Sequence, residues 1–281
     1  MSSFPLFSSA PVEPAFSAKS AVVTRKFSAE TLLKTSNIVP ASRLELRPTP
    51  EMASAGIPEI DALTGGLPRG SLTEVCGTAS SGRTSFVLRC LAASTCRQEA
   101  CAFVDVTDAF DPSSAASAGM NFEKLLWVRC GTEDKPSSRR RNAQKNRTET
   151  RLEQALRVTD LLLQGGGFGV VAIDLGDLPF PIARRVPLAS WFRFQRAIEH
   201  TPTVLLAITP AACTQSCAAL LLKMKAAKKP SAFSSQRSDE IPHTRLLEGL
   251  EISAEVVRSR FQRKPPKSVT TAFLTQAVHA G

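Results

Sequence analysis

The stretch from Gly77 to Ser85 reads GTASSGRTS and has the spacing of a phosphate-binding loop. In the pattern G-x-x-x-x-G-K-[ST], backbone N–H groups surround phosphates, a lysine reaches the terminal phosphates and a hydroxyl binds magnesium. Gly77, Gly82 and Thr84 fit this pattern, whereas Arg83 stands at the lysine position. A guanidinium keeps the positive charge, but it is longer and planar and does not simply replace a compact ammonium. The loop therefore predicts ATP binding with weak or absent hydrolysis.

A carboxylate at the end of another strand is the second chemical signal. The apolar run VVAID from Val170 predicts a buried strand that ends in Asp174. In nucleotide-binding sites with a phosphate loop, such a carboxylate helps to hold the magnesium of the bound triphosphate. Thr84 and Asp174 are therefore the predicted Mg²⁺ ligands.

The elements around the loop alternate between strand and helix. SLTEVCG from Ser71 predicts the strand that enters the loop, and RTSFVLRCLAASTC from Arg83 predicts the helix that leaves it. Three more buried strands are predicted, at ACAFVDV from Ala100, KLLWVRC from Lys124 and TVLLAIT from Thr203. One helix is predicted to start with Asp111 as its N-cap and Pro112 at its first position. Two more are predicted, from about Thr148 to Gln164 and around Pro187. EISAEVVRSRF from Glu251 favours an antiparallel or edge strand. This order predicts an α/β fold with a mostly parallel central sheet flanked by helices and antiparallel strands at the C-terminal end.

Length and charge bound the organisation and the partners. A chain of 281 residues with 43% hydrophobic content can bury one sizeable core. We expect a flexible leader over residues 1–50, one domain over 51–262 with a basic insertion at 135–150, and a tail over 263–281. The net charge of +10 suggests a polyanionic partner; the alternative is that the excess charge only keeps flexible segments soluble.

Cysteines and apolar runs indicate the compartment. Seven cysteines without any C-x-x-C pair, several of them in apolar runs, indicate reduced thiols in a cytoplasmic protein. The uncharged run from Val204 to Leu222 is interrupted by Pro210 and by polar residues, which favours a strand followed by another element over a membrane span. The beginning of the chain has no basic segment before an apolar stretch and does not predict a secretory signal.

Two segments resemble the bacterial recombinase RecA. ASAGIPEIDALTGGLPRGSLTEVCGTASSGRTS from Ala53 and CAFVDVTDAFDPSSAASAGMNFEKLLWVRC from Cys101 carry the resemblance, which extends more loosely to Thr209. It implies a RecA-like core, ATP and Mg²⁺ as ligands, DNA as a partner and a capacity for homo-oligomers. The implied nucleotide-binding residues are Gly77, Ser80, Ser81, Gly82, Arg83, Thr84, Ser85, Asp111 and Asp174.

Departures from the RecA pattern affect catalysis. Thr107 stands where the family has the glutamate that activates water, and a threonine cannot act as a carboxylate base. Asp108 is adjacent and is the candidate catalytic base if the turn allows it. Ser114 replaces the adenine-stacking tyrosine and Thr209 replaces the polar sensor of the fifth strand. The DNA-binding loop that follows is shortened to PAACTQSC.

A shorter stretch resembles ImuA-type proteins, which act beside an error-prone polymerase in damage-induced mutagenesis. It begins at GDLPFPIARRVPLASWF from Gly176. The resemblance implies an accessory role, with the helix opened by Arg184-Arg185 as a contact surface. The alternative is a solvated amphipathic helix.

The basic segment KPSSRRRNAQKNRTETR from Lys135 has no aromatic residue to stack on bases. This composition favours nonspecific contact with the phosphates of single-stranded DNA over sequence reading. The predicted DNA-binding residues are Arg139, Arg140, Arg141, Lys145 and Arg147. The alternative is a solvated loop without a ligand.

Three functions remain open from the sequence. The leading hypothesis is an accessory protein of DNA repair that binds ATP weakly or without efficient hydrolysis, contacts DNA, and works with RecA or an error-prone polymerase complex. The second is an active DNA-dependent ATPase or recombinase. The third is a protein-interaction module without nucleotide.

Overall fold

The computed structural model describes residues 49–131, 141–226, 249–261 and 270–276. All of them belong to one of two compact units of the chain, Thr49–Gly281. Almost all of the predicted leader at 1–50 lies outside the described residues, as do Arg139 and Arg140. Among the described residues no helix is long and apolar enough to cross a membrane.

The described residues build an eight-stranded sheet in the order β10-β9-β8-β3-β7-β6-β4-β5. Its strands are β3 (Ser71–Gly77), β4 (Cys101–Asp105), β5 (Leu125–Arg129), β6 (Val170–Asp174), β7 (Val204–Thr209), β8 (Leu220–Ala226), β9 (Gly249–Ser259) and β10 (Thr270–Gln276). Strands β3 to β8 pair in parallel, whereas β9 and β10 are antiparallel. A short pair, β1 (Met52–Ala53) and β2 (Leu67–Pro68), forms a separate two-stranded sheet. The predicted α/β class is confirmed.

Helices cover both faces of the sheet. One face carries α1 (Pro58–Thr64), α2 (Arg83–Cys96) and α3 (Pro112–Ser117); the other carries α4 (Arg141–Gly165), α5 (Phe180–Ala183) and α6 (Leu188–Ile198). Successive strand residues point to opposite faces, so Val75 packs on the α2 side and Leu72 on the α6 side. The two apolar clusters bury Phe86 of α2 and both Trp191 and Phe194 of α6. This double layer fixes the carboxyl ends of β3, β4, β6 and β7 along one edge.

Local signals placed several elements correctly. The residues of β3, α2 and β6 match their predicted spans, and the Asp111 side chain caps α3 as expected. Pro187 precedes the first residue of α6. The run from Val204 to Leu222 divides into β7 and the start of β8, as an interrupted apolar run predicts.

The C-terminal boundaries need correction. The strand predicted from Glu251 is antiparallel, but it is internal, because β10 pairs along it from Thr270–Glu255 to Gln276–Gly249. β10 lies in the segment expected to be a tail, 263–281, and buries Phe273 beside Ile252. The sheet therefore continues beyond residue 262.

The start of helix α4 also differs from the prediction. This helix begins at Arg141, before the expected start near Thr148.

The cysteines lie mostly in the core of the protein. All seven cysteines are free, and only Cys96 is exposed. The described residues contain no cluster of histidine, cysteine and carboxylate groups that could hold a metal ion. Burial raises the pKa of Cys101 to about 12, which keeps this thiol protonated.

Candidate nucleotide site

The glycine loop connects β3 to α2 as predicted. β3 ends at Gly77, and α2 begins at Arg83 after Gly82, whose φ is 87°. Residues 78–80 are exposed, and Ser80 also has a positive φ of 58°. The first N–H groups of a helix have no partner within the helix and are available to an anion. The backbone thus has the strand, loop and helix that phosphate binding requires.

Two glycines of this loop are fixed by close approach of other groups. A Cβ on Gly77 would lie 2.6 Å from the carbonyl oxygen of Met224. A Cβ on Gly82 would lie 2.7 Å from Cγ1 of Ile252 and 2.9 Å from its Cγ2. Ile252 belongs to β9 and is fully buried. An antiparallel strand therefore packs directly against the phosphate loop, a neighbour that the sequence did not predict.

The loop hydroxyls differ in their surroundings. Ser81 is buried, and its Oγ has no hydrogen-bond partner. Buried hydroxyls are usually paired, so this atom fits an incoming phosphate oxygen. Thr84 is exposed and Ser85 is partly buried. These hydroxyls, with the loop backbone, are the groups that would hold the phosphates of ATP.

Arg83 points into the protein. Its side chain is 7% exposed, and its Nη1 donates to the carbonyl oxygens of Gly176, at 2.8 Å, and Thr209, at 3.0 Å. Its Nη2 lies 3.8 Å from Oδ1 of Asp177. The guanidinium thus joins the start of α2 to the carboxyl ends of β6 and β7. The Nη1 group of Arg83 therefore donates to main-chain carbonyls of the protein.

Asp174 lies beside this guanidinium. Its Oδ1 accepts a hydrogen bond of 2.8 Å from the N–H of Gly176. The pKa of Asp174 is raised to about 6, chiefly by burial and also by Asp177 and Asp105, whereas the Gly176 N–H and Arg83 act against this shift. The structure brings Arg83 and Asp174 together, as the sequence predicted.

The predicted catalytic carboxylate, Asp108, is engaged in an ion pair. Both of its oxygens accept hydrogen bonds of 2.7 Å from Arg129 on β5, and these bonds lower its pKa. The neighbouring Thr107 has a buried Oγ1 without a partner. Asp105, fully buried, accepts from the N–H groups of Ala109 and Phe110 and so shapes this turn. A carboxylate held by an arginine in this way is a poor proton acceptor.

Asp111 has a structural role at the start of α3. Its carboxylate accepts hydrogen bonds from the N–H groups of Ser113, at 3.2 Å, and Ser114, at 2.9 Å. The Ser114 hydroxyl is the main cause of its lowered pKa, and the two N–H bonds lower it further. Asp111 is also exposed, so a further contact with a nucleotide stays a prediction.

The buried carboxylate of Glu74 was missed by the sequence reading. Glu74 lies on β3, is fully inaccessible, and accepts hydrogen bonds from the Thr209 hydroxyl (2.8 Å) and the Cys213 N–H (2.6 Å). The N–H and hydroxyl of Thr214 donate to its other oxygen. A glutamate within the otherwise apolar SLTEVCG was the available signal, because buried carboxylates require several donors. Glu74 fixes the segment after β7, where the shortened DNA-binding loop was expected.

The basic residues lie on helix α4 and in the turn between α5 and α6, so Arg184-Arg185 does not itself open a helix as expected. Arg141, Lys145 and Arg147 lie in the first turns of α4, where only the backbone is described. Arg184 follows α5, and Arg185 forms an ion pair with Glu149 of α4. The Arg185 guanidinium therefore already has a carboxylate partner within the protein.

Part of the chain is similar to known proteins. Residues 22–136 match the RecA N-terminal domain. This RecA-like segment contains the glycine loop, Asp108 and Asp111. Protein RecA of Teredinibacter turnerae is 30% identical over 162 residues, and Protein RecA of Ruegeria pomeroyi is 34% identical over 110 residues. These matches cover 58% and 39% of this chain.

The matched relatives are longer than the shared region. The chain spans 40% of the Teredinibacter protein and 26% of the Ruegeria protein. A solved structure described as that of the RadB recombinase has a TM-score of 0.52 and 19% identity, covering 79% of this chain and 95% of that one. This structural likeness supports the RecA-like α/β fold, and a fold by itself does not fix function.

Proposed function

We propose that this chain is a RecA-like accessory protein of DNA repair that binds ATP at the glycine loop without efficient hydrolysis and contacts single-stranded DNA. The orientation of Arg83 carries the proposal. The loop keeps the backbone and the hydroxyls that hold phosphates, but the side chain that would stabilise the transferred phosphoryl group donates to Gly176 and Thr209. Loss of one well-placed transition-state donor typically costs about a hundredfold or more in rate.

The region of the candidate base supports the same conclusion. Thr107 carries no carboxylate, and both oxygens of Asp108 are bound by Arg129. Water activation by Asp108 would require this ion pair to open. These two features together disfavour the active ATPase and are compatible with nucleotide binding without efficient hydrolysis.

An experiment on turnover and binding tests this proposal. Phosphate release from ATP is measured with and without single-stranded DNA, and thermal melting is measured with and without ATP. We expect no DNA-stimulated turnover, together with a stabilisation of about 2.7 kcal/mol when ATP is present at a hundred times its dissociation constant. Steady DNA-stimulated turnover that disappears in Arg83→Ala would contradict the proposal.

A second candidate function is a protein-interaction module without nucleotide. The contact of Ile252 with Gly82 favours this function, because a fully buried side chain of the protein packs against the loop and supports it without a ligand. Partners of the proposed accessory role, RecA or an error-prone polymerase complex, would then bind without ATP. Unchanged melting in the presence of ATP, with DNA binding retained, would select this candidate.

DNA contact is tested through the basic segment. One variant replaces Arg139, Arg140 and Arg141 with glutamine, and a second replaces Lys145 and Arg147 with glutamine. The matched control carries the same substitution at three exposed arginines elsewhere, Arg89, Arg157 and Arg196. If the segment contacts phosphates, each lost contact weakens single-stranded DNA binding and reduces the salt slope by about 0.7. Equal losses in the control would assign the effect to net charge alone.

A further inference from the structure

The surroundings of Asp174 do not fit a magnesium ion. A Cβ on Gly176 would lie 2.9 Å from Nη1 of Arg83 and 3.0 Å from Oδ1 of Asp174. The two charged groups therefore converge on the same side of Gly176, within about 6 Å of each other. Mg²⁺ requires oxygen ligands in near-octahedral geometry, whereas a guanidinium offers only donors.

Two neighbouring groups favour the charged form of Asp174 against the burial that raises its pKa. The Gly176 N–H occupies Oδ1 at 2.8 Å, and Arg83 supplies a fixed positive charge nearby. Two carbonyl oxygens hold this guanidinium in place, and its side chain is buried. A divalent cation near Asp174 would be repelled by the Arg83 guanidinium, which stays protonated. This side chain could move away only by losing its hydrogen bonds to Gly176 and Thr209. At such separations in a partly desolvated site, repulsion between like charges amounts to kilocalories per mole.

We propose that the Arg83 guanidinium stands in for the divalent cation beside Asp174, so that the glycine loop takes a triphosphate without Mg²⁺. This inference rests on the proposed nucleotide binding, which it makes more specific. Thr84 keeps its exposed hydroxyl, but Asp174, the carboxylate predicted to complete a metal site with it, lies beside the Arg83 guanidinium. The positive potential that phosphates require comes from the first N–H groups of α2, whereas the buried Arg83 guanidinium lies beside Asp174.

The first test measures binding of a fluorescent ATP analogue in MgCl₂ and in EDTA. We expect the dissociation constant of the wild type to change less than about twofold between the two conditions. In Arg83→Lys, whose ammonium is shorter and cannot donate to two carbonyls in the same planar geometry, we expect Mg²⁺ to tighten binding about tenfold. Arg89→Lys, on the exposed side of the same helix, is the matched control and should behave like the wild type. A tenfold effect of Mg²⁺ on the wild type would overturn the proposal.

The second test needs no nucleotide and separates this inference from the proposed function. Mn²⁺ binding to the protein alone is followed by electron paramagnetic resonance. We expect no site in the wild type, a new site in Arg83→Ala, and loss of that site when Asp174→Asn is added. Circular dichroism confirms folding of each variant, and Arg83→Lys replaces Arg83→Ala if the latter does not fold. A wild-type Mn²⁺ site that Asp174→Asn abolishes, or variants at Arg83 that gain none, would refute the role of the guanidinium even if ATP binds.

Discussion

Arg83 donates a hydrogen bond to the main-chain carbonyl of Thr209, and the hydroxyl of Thr209 donates to the buried Glu74. The last residue of β7 is thus held on one side by the helix after the glycine loop and on the other by the strand before it. In this arrangement the loop, β3 and the segment after β7 are joined by side chains of the protein. The position of that segment is set by the fold and needs no bound nucleotide.

Replacement of Arg83 should lower stability as well as change ligand binding. In Arg83→Ala, the carbonyls of Gly176 and Thr209 lose a buried donor, and we expect the free energy of unfolding to fall by about 1–3 kcal/mol. Urea denaturation measures the change. Arg89→Ala, on the exposed side of α2, should change it by less than about 0.5 kcal/mol. Equal effects of the two substitutions would mean that the Arg83 contacts contribute nothing.

The contact between Gly82 and Ile252 should appear as a coupling between two substitutions. Gly82→Ala places a Cβ against Ile252 at a φ of 87°, whereas Ile252→Ala removes about 2–4 kcal/mol of core packing but opens that space. In a double-mutant cycle measured by urea denaturation, we expect the double variant to be more stable than the sum predicts, by about 0.5–3 kcal/mol. The matched single control is Val256→Ala, on the same face of β9. Additive effects in the Gly82–Ile252 cycle would contradict the close approach.

Glu74 should be the most sensitive polar position of β3. Glu74→Gln replaces one of the two acceptor oxygens that four donors surround with an NH₂ group, which is itself a donor, and we expect a loss of about 1–3 kcal/mol in the free energy of unfolding. The adjacent Thr73 is the matched control. Its Oγ1 is buried without a partner, so Thr73→Val should be neutral or stabilising. A tolerated Glu74→Gln would show that the segment after β7 is held by other contacts.

The pH dependence of stability should reveal the Glu99 ion pairs. Burial acts to raise the pKa of Glu99, but hydrogen bonds from Arg97 and Arg69 outweigh it and hold the pKa below the ordinary 4.5. Because the folded-state pKa is depressed, the contribution is present above pH 4.5 and is lost as the pH falls through the folded value. We expect Glu99→Gln to be less stable than the wild type by on the order of 1 kcal/mol at neutral pH.

Urea denaturation across the pH range measures this difference. The difference in the free energy of unfolding between Glu99→Gln and the wild type should disappear below the ordinary pKa of glutamate. Glu123→Gln, at an exposed position, is the control and should follow the wild type throughout. A gap that does not depend on pH would assign the effect of Glu99 to packing.

The sequence alone determined the features that depend on neighbouring residues. Apolar runs and glycine spacing predicted β3, the loop and α2, and Asp111-Pro112 predicted the capped start of α3. The alternation of strands and helices predicted the parallel sheet and, with it, the approach of Asp174 to the loop. These inferences succeed because hydrogen bonding and side-chain periodicity within one element are local.

The tertiary structure alone decided how the loop is surrounded. Ile252 contacts Gly82 from a strand 170 positions later in the chain. Glu74 accepts hydrogen bonds from the segment after β7. Arg129, on the next strand, donates hydrogen bonds to Asp108. Such contacts depend on strand order and register, which residue spacing along the chain does not encode. The sequence therefore supplied Arg83, but only the packing of β6 and β7 directed its guanidinium to two carbonyl oxygens, because a buried donor must find acceptors wherever the fold provides them.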